Sequence, residues 1–158
     1  MSTWQWLDVA LLDAVSADAV AAPRRRRNRN FHPDDAFPAH RLLNAIEPDS
    51  YVVPHRHIDP RKDETIICLR GRFGVLLFDA AGAVVGERII GAGGPCCGVD
   101  ISSGCYHTLI ALDLGSVIFE AKAGPFAPLG ADEIAPWAPA EGSADAPAYL
   151  ALLRDRFL

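Results

Sequence analysis

Turn signals cut the chain between Glu64 and Lys122 into short apolar runs, and this constrains the fold more than any other feature of the sequence. Gly71, the stretch Asp79 to Gly82, the Gly/Pro/Cys segment Gly91 to Gly98 and Asp113-Leu114-Gly115 all read as turns or loops. The runs between them (Glu64 to Arg70, Phe73 to Phe78, Val84 to Ile90, Val99 to Ser103, His107 to Leu112 and Ser116 to Lys122) are too short for ordinary helices and suit strands. Upstream, Leu42, Asn44 and Ile46 alternate with Arg41, Leu43 and Ala45, which predicts a further strand that includes His40. Tyr51 to His57 reads as another. Short strands with turns between them predict an all-β antiparallel sandwich or jelly roll.

Helices are expected only at the ends. Thr3 to Ala22 is predicted helical, with Ser2 or Thr3 as cap, an apolar stripe of Trp4, Leu7, Leu11 and Val15, and Pro23 as the stop. Asp145 and Pro147 open a final helix with Tyr149, Leu150, Leu153 and Phe157 on its apolar face. We therefore divide the chain into an N-terminal helical extension (1–23), a β-barrel (24–130) and a C-terminal wrap and helix (131–158). An exposed apolar face on the last helix would suggest a homodimer.

The chemistry concentrates in Tyr51 to Gly74, YVVPHRHIDPRKDETIICLRGRFG. Side chains two apart on a strand share a face, so His55 and His57 are expected to look the same way. Glu64, at the head of the next strand, and His107, at the start of a later one, can complete a mononuclear metal constellation. Imidazoles converging in an apolar barrel are costly unless charged, hydrogen-bonded or metallated. Imidazole and carboxylate suit one divalent ion of Zn, Fe, Mn, Ni or Co, and such a site leaves open positions for Lewis-acid or oxygen chemistry. Tyr51, Arg70, Cys105 and Glu120 are candidates for the surrounding substrate pocket. For Tyr51 the alternative is a packing ring, for Arg70 a solvated turn, and for Glu120 an outward-facing pair with Lys122.

Composition excludes several classes. With 158 residues, half of them hydrophobic and 22% charged, this is a chain able to bury a core as one domain. A net charge of -5 argues against nucleic acid as a partner, and no apolar run reaches the length of a membrane span. The N-terminal stretch has Asp8 and Asp13 where a signal peptide would be apolar, so a cytoplasmic location is expected. Cys68, Cys96, Cys97 and Cys105 lack metal or disulfide-framework spacing and read as reduced thiols. The run Arg24 to Arg29 is either a solvated linker or an anion clamp, since a guanidinium matches carboxylate or phosphate. His32, beside turn residues, reads as a surface or capping histidine.

The first motif resembles the cupin signature, with His55, His57 and Glu64 followed by Gly71. The second cupin motif is similar to Ser102-Ser103-Gly104-Cys105-Tyr106-His107. The loop between His57 and Glu64 is longer than the cupin pattern has, and Ser102 stands where that pattern has Pro. The resemblance implies a cupin double-stranded β-helix with His55, His57, Glu64 and His107 as metal ligands. A narrower resemblance, carried by NRNFH, RLLNAIEPDSYVVPHRH, LRGRFGVLLFD, EAKAGPF and APWAPAEG, is to the WbuC family of cupin-fold metalloproteins. It implies a link to bacterial O-antigen and surface polysaccharide biosynthesis and a small sugar-derived ligand. The expected function is thus a metal-dependent enzyme, an isomerase or epimerase or a dioxygenase. The alternative is a non-catalytic cupin that binds a sugar or nucleotide-sugar in a regulatory or scaffolding role.

Overall fold

The computed structural model describes residues 4–158. Among the described residues eight strands form two antiparallel sheets facing each other. They are β1 (Arg26–Asn30), β2 (Ala39–Ile46), β3 (Glu64–Arg70), β4 (Arg72–Phe78), β5 (Val84–Gly91), β6 (Gly98–Ile101), β7 (Tyr106–Ala111) and β8 (Ser116–Ala123). One sheet has the order β1-β2-β8-β3-β6 and the other β5-β4-β7. Their inner faces enclose a core of Ile46, Ile66, Cys68, Phe73, Val75, Ile90, Ile101, Leu109 and Ile118. This is the expected all-β jelly roll of cupin type.

A helix packs on the outer face of each sheet. Helix α1 (Val9–Ala21) lays Leu12, Val15 and Ala19 on Leu43, Ala45 and Val117 of the five-stranded sheet. Helix α2 (Ala146–Arg154) lays Ala146, Leu150 and Leu153 on Leu76, Phe78, Tyr106 and Ile110 of the three-stranded sheet. Strands between two such layers are buried on both faces. All six residues of β7 are buried, with Leu109 and Ala111 in the inner core and Tyr106 and Ile110 against α2.

Several expectations change here. Helix α1 starts at Val9 because the Asp8 carboxylate accepts the Leu11 N–H at 3.0 Å and caps it. The expected caps Ser2 and Thr3 lie outside the described residues. The buried stripe is Leu12, Val15, Ser16 and Ala19, while Trp4 and Leu7 are exposed. The arginine run is neither a free linker nor wholly a clamp. Arg26 to Asn30 form edge strand β1 on β2, Arg24 and Arg26 hold Glu141 at 2.7 and 2.9 Å, and Arg25 holds Asp49 at 3.1 Å. A charged edge strand of this kind discourages pairing with other chains. His32 is buried, its ring stacked on that of His40 with centroids 3.9 Å apart. The apolar face of α2, the ground for expecting a homodimer, is consumed within the chain.

Candidate metal centre

The segment that carries the first two histidines is not the strand its alternation suggests. Pro54 has no N–H to give a ladder, and between Tyr51 and His57 only His55 forms a β-bridge, to His107 on one side and Ile134 on the other. The His55 N–H donates to the His107 carbonyl at 3.0 Å, and the His107 N–H returns a bond to the His55 carbonyl at 2.8 Å. This exchange fixes the two histidines side by side across separate elements. The His57 carbonyl accepts from the Gly104 N–H at 2.6 Å. Gly104 has φ +85, a left-handed conformation that glycine adopts without steric cost.

Glu64 arrives from the first position of β3, on the inward face it shares with Ile66 and Cys68. His107 shares the inward face of β7 with Leu109 and Ala111. The result is a cluster of His55, His57, Glu64 and His107 whose ligand atoms all lie within 4.8 Å of one another. His107 Nε2 is 3.1 Å and His57 Nε2 3.4 Å from Glu64 Oε2.

The donor set fits a cation. His55 Nδ1 lies 2.9 Å from the Val53 carbonyl, and His107 Nδ1 lies 2.9 Å from the Cys105 carbonyl. A carbonyl only accepts, so each Nδ1 carries its hydrogen and each neutral ring turns an Nε2 lone pair to the centre. These carbonyls, two residues before each histidine, are the orienting partners that the sequence did not reveal. Burial, reinforced by the neighbouring His107, pushes His55 down to about 3, which keeps it an unprotonated ligand near neutral pH. Burial opposes the charge on Glu64, but its contacts with the His107 and His57 rings and the charge of Lys122 outweigh it and hold the carboxyl well below its ordinary range. Lone pairs and a carboxylate converging in a buried cluster repel one another unless a positive charge lies among them.

Part of that charge is built in. Strand β8 pairs with β3 so that Lys122 faces Glu64 and Glu120 faces Ile66. The Lys122 ammonium lies 2.9 Å from Glu120, 3.5 Å from Glu64 and 3.4 Å from His57 Nε2. Burial lowers the pKa of Lys122, and the Glu120 and Glu64 carboxylates more than reverse this, so the group is raised. Burial, together with the charge of Glu64, pushes Glu120 up to about 8. The outward-facing reading of Glu120 and Lys122 is therefore corrected. Ile118, Glu120 and Lys122 share the inward face of β8, while Val117 lies under α1. Sequence alternation missed this because both faces of β8 carry apolar residues, so no polar side marks the outside.

The other pocket candidates lie elsewhere. The Tyr51 ring packs in the outer cluster with Leu76 and Leu150, and its hydroxyl donates to the Pro139 carbonyl at 2.9 Å. Arg70 clamps α1 to the barrel. Its guanidinium donates to Asp13 at 2.6 Å, the Leu12 carbonyl at 2.9 Å, the Gly115 carbonyl at 2.8 Å and the Ser16 hydroxyl. Cys105 packs at the edge of the inner core. Above the centre opens a cavity of about 1070 Å³, with His55, His57 and Lys122 in its wall.

The fold is shared with distant proteins. KdgF from Halomonas sp. superposes with a TM-score of 0.51 at 16% identity, over 77% of this chain and 88% of that one. A conserved protein of unknown function from Streptococcus pyogenes gives 0.53 at 10% identity, over 80% and 93%. At such identities the likeness concerns the cupin fold alone. No curated protein sequence matches the chain. The family profile described as Domain of unknown function (DUF6016) matches residues 7–90, which span the first motif and more than half of the chain, and the chain belongs to that family.

Proposed function

We propose that the protein is a mononuclear metal-binding cupin that works as a metal-dependent enzyme on a small, carbohydrate-derived substrate. The observation that carries this reading is the meeting of four ligand groups with a lysine and a glutamate beside a cavity that His55, His57 and Lys122 line. His55, His57, Glu64 and His107 would hold the ion, one of Zn, Fe, Mn, Ni or Co. When bound, the ion supplies Lewis acidity toward a carbonyl or hydroxyl, as isomerisation or epimerisation needs, or oxygen chemistry if it is iron. Lys122 and Glu120 stand next to the ligands as a hydrogen-bonded proton-carrying pair, the kind of group that general acid or base catalysis requires within reach of a substrate. A binding module needs no such pair, and this favours the catalytic reading over a non-catalytic sugar binder.

The resemblance of several segments to the WbuC family supports placing the reaction in O-antigen or other surface polysaccharide biosynthesis. The four free thiols suit the reducing cytoplasm, and among the described residues no helix is long and apolar enough to cross a membrane. The test is a screen of activated and free sugars against metal-loaded and metal-stripped protein. The metal-loaded protein should form product, and Glu120→Gln should lower turnover about 100-fold or more while retaining the metal. Ligand binding with no product from any sugar would favour the non-catalytic alternative.

A further inference from the structure

The arginine run is satisfied within the molecule only at its start. Arg24 and Arg26 hold Glu141, and Arg25 holds Asp49. The exposed side chains of Arg27 and Arg29 meet no carboxylate and make no hydrogen bond among the described residues. Arg41 on β2 is exposed as well, and its guanidinium reaches only the Phe31 carbonyl, at 3.4 Å. Strand register gathers these three. Arg27 lies opposite Ala45 and Arg29 opposite Leu43, both of which pack under α1, so the two arginines stand on that outer face at the border of the sheet. Arg41, two residues before Leu43, shares the face and is diagonal to Arg29. Arg27 and Arg29 are about 7 Å apart along β1, and the diagonal is about 7–8 Å. In a chain with 20 acidic and 15 basic residues, three clustered guanidinium groups without a counter-charge make a local basic stripe.

The backbone beside this stripe is open. Strand β1 is the last of its sheet and pairs with β2 alone. The Phe31 N–H donates to the Arg41 carbonyl at 2.9 Å, and the Glu47 N–H to the Arg25 carbonyl at 3.0 Å. Hydrogen-bonded positions recur every second residue in an antiparallel ladder, so Arg25, Arg27, Arg29 and Phe31 bond toward β2. Arg26, Asn28 and Asn30 therefore turn their N–H and C=O groups to the free edge. Such groups are a template for one more strand, the mode by which extended peptides add to sheets.

We propose that the β1 edge docks an extended acidic peptide of a partner protein, bonded to the backbone of Asn28 and Asn30, with carboxylates at alternate positions facing Arg27 and Arg29. Spacing selects this partner. Side chains two apart on an added strand repeat at about 7 Å, the interval of the two arginines. Like charge keeps out a second copy of β1, whereas opposite charge makes the same guarded edge receptive. The inference goes beyond the metal centre and does not depend on it, since β1 carries none of the metal ligands.

The test is an NMR titration of the isotopically labelled full chain with a blocked peptide that alternates glutamate and valine, with the glutamine–valine peptide as control. The glutamate peptide should bind about tenfold or more tightly than the control, lose most of that advantage in high salt, and slow amide exchange at Asn28 and Asn30. Arg27→Gln/Arg29→Gln, at two exposed positions, should leave the melting temperature unchanged and weaken the glutamate peptide about tenfold. Equal affinity for the two peptides, binding unaltered by the double substitution, or no shifts at millimolar peptide would overturn the inference. So would binding that leaves the Asn28 and Asn30 amides exchanging as before, which would mark a diffuse attraction of polyanions rather than an added strand.

Discussion

Replacing Lys122 by Met removes the only cation that touches both buried carboxylates among the described residues. The ammonium lies 2.9 Å from Glu120 and 3.5 Å from Glu64, and the three side chains are 20%, 11% and 5% exposed. Deleting one partner of a buried ion pair costs about 3–5 kcal/mol, because the remaining charge is stranded. Lys122 keeps some contact with solvent and Glu120 can hold a proton, so the lower end, about 3 kcal/mol, applies. For a domain of this size each kcal/mol moves the melting temperature by about 2–4 °C, so Lys122→Met should melt roughly 6–12 °C lower.

The loss should also depend on pH in a definite direction. The folded Glu120 carboxyl is raised to about 8, whereas an unfolded glutamate titrates near about 4.3. The folded state therefore holds an extra proton in that window. The stability it brings is complete below the unfolded value and is lost as pH rises through about 8. Without Lys122 to favour the ionised form, the decline steepens and extends upward. Glu120→Gln added to Lys122→Met removes the titration and one of the two stranded carboxylates, so the double variant should be more stable than Lys122→Met at pH 8. Calorimetric melting of chelator-treated protein at pH 5, 6.5 and 8 measures all of this. Lys122→Met melting within about 2 °C of wild type at pH 8, or losing more at pH 5 than at pH 8, would refute the reasoning.

Two further outcomes follow from contacts away from the centre. Arg70→Met should release α1, lowering stability by about 2–4 kcal/mol through its lost charged hydrogen bonds; amide exchange should rise mainly in Val9–Ala21, and metal content should not change. Glu141→Gln bears on the acid limb. Burial opposes the charge of Glu141, but Arg24 and Arg26 bring its pKa down to about 2. Its contribution is therefore present above about pH 4.3 and lost as pH falls toward 2. Urea unfolding should show the variant weaker by about 1 kcal/mol at pH 7 and nearly equal to wild type at the acid end.

Much of the barrel was legible in the sequence because its turns are local chemistry. Gly71 marks the β3–β4 turn at φ +73, where an added Cβ would collide with the Ser116 hydroxyl. The alternation of Glu64, Ile66 and Cys68 against Thr65 and Ile67 gives the inward face of β3 correctly, since Thr65 and Ile67 are exposed. Alternation fails where a helix covers the outside. Under α1 the outer faces of β2 and β8 carry apolar residues too, so nothing local tells that Glu120 and Lys122 look inward. That follows only from the register of β8 on β3, a pairing of residues far apart in the chain. Arg70 misleads for a similar reason. A register shift between Cys68 and Arg70 takes it out of the strand's alternation, and most of its partners lie on α1. The irregular path from Tyr51 to His57 is tied down by long-range bonds to His107 and Ala135, which spacing alone does not encode.

The central claim is that three imidazoles and one carboxylate hold a single ion, and elemental analysis of purified, reconstituted protein tests it most directly. Wild type should carry about one equivalent of divalent metal per chain. His107→Ala and the near-isosteric Glu64→Gln, each checked for folding by circular dichroism, should retain less than about a tenth of that, since each removes one of four ligands from a preformed site. Wild type that takes up no metal, or folded variants that keep the full equivalent, would contradict the account.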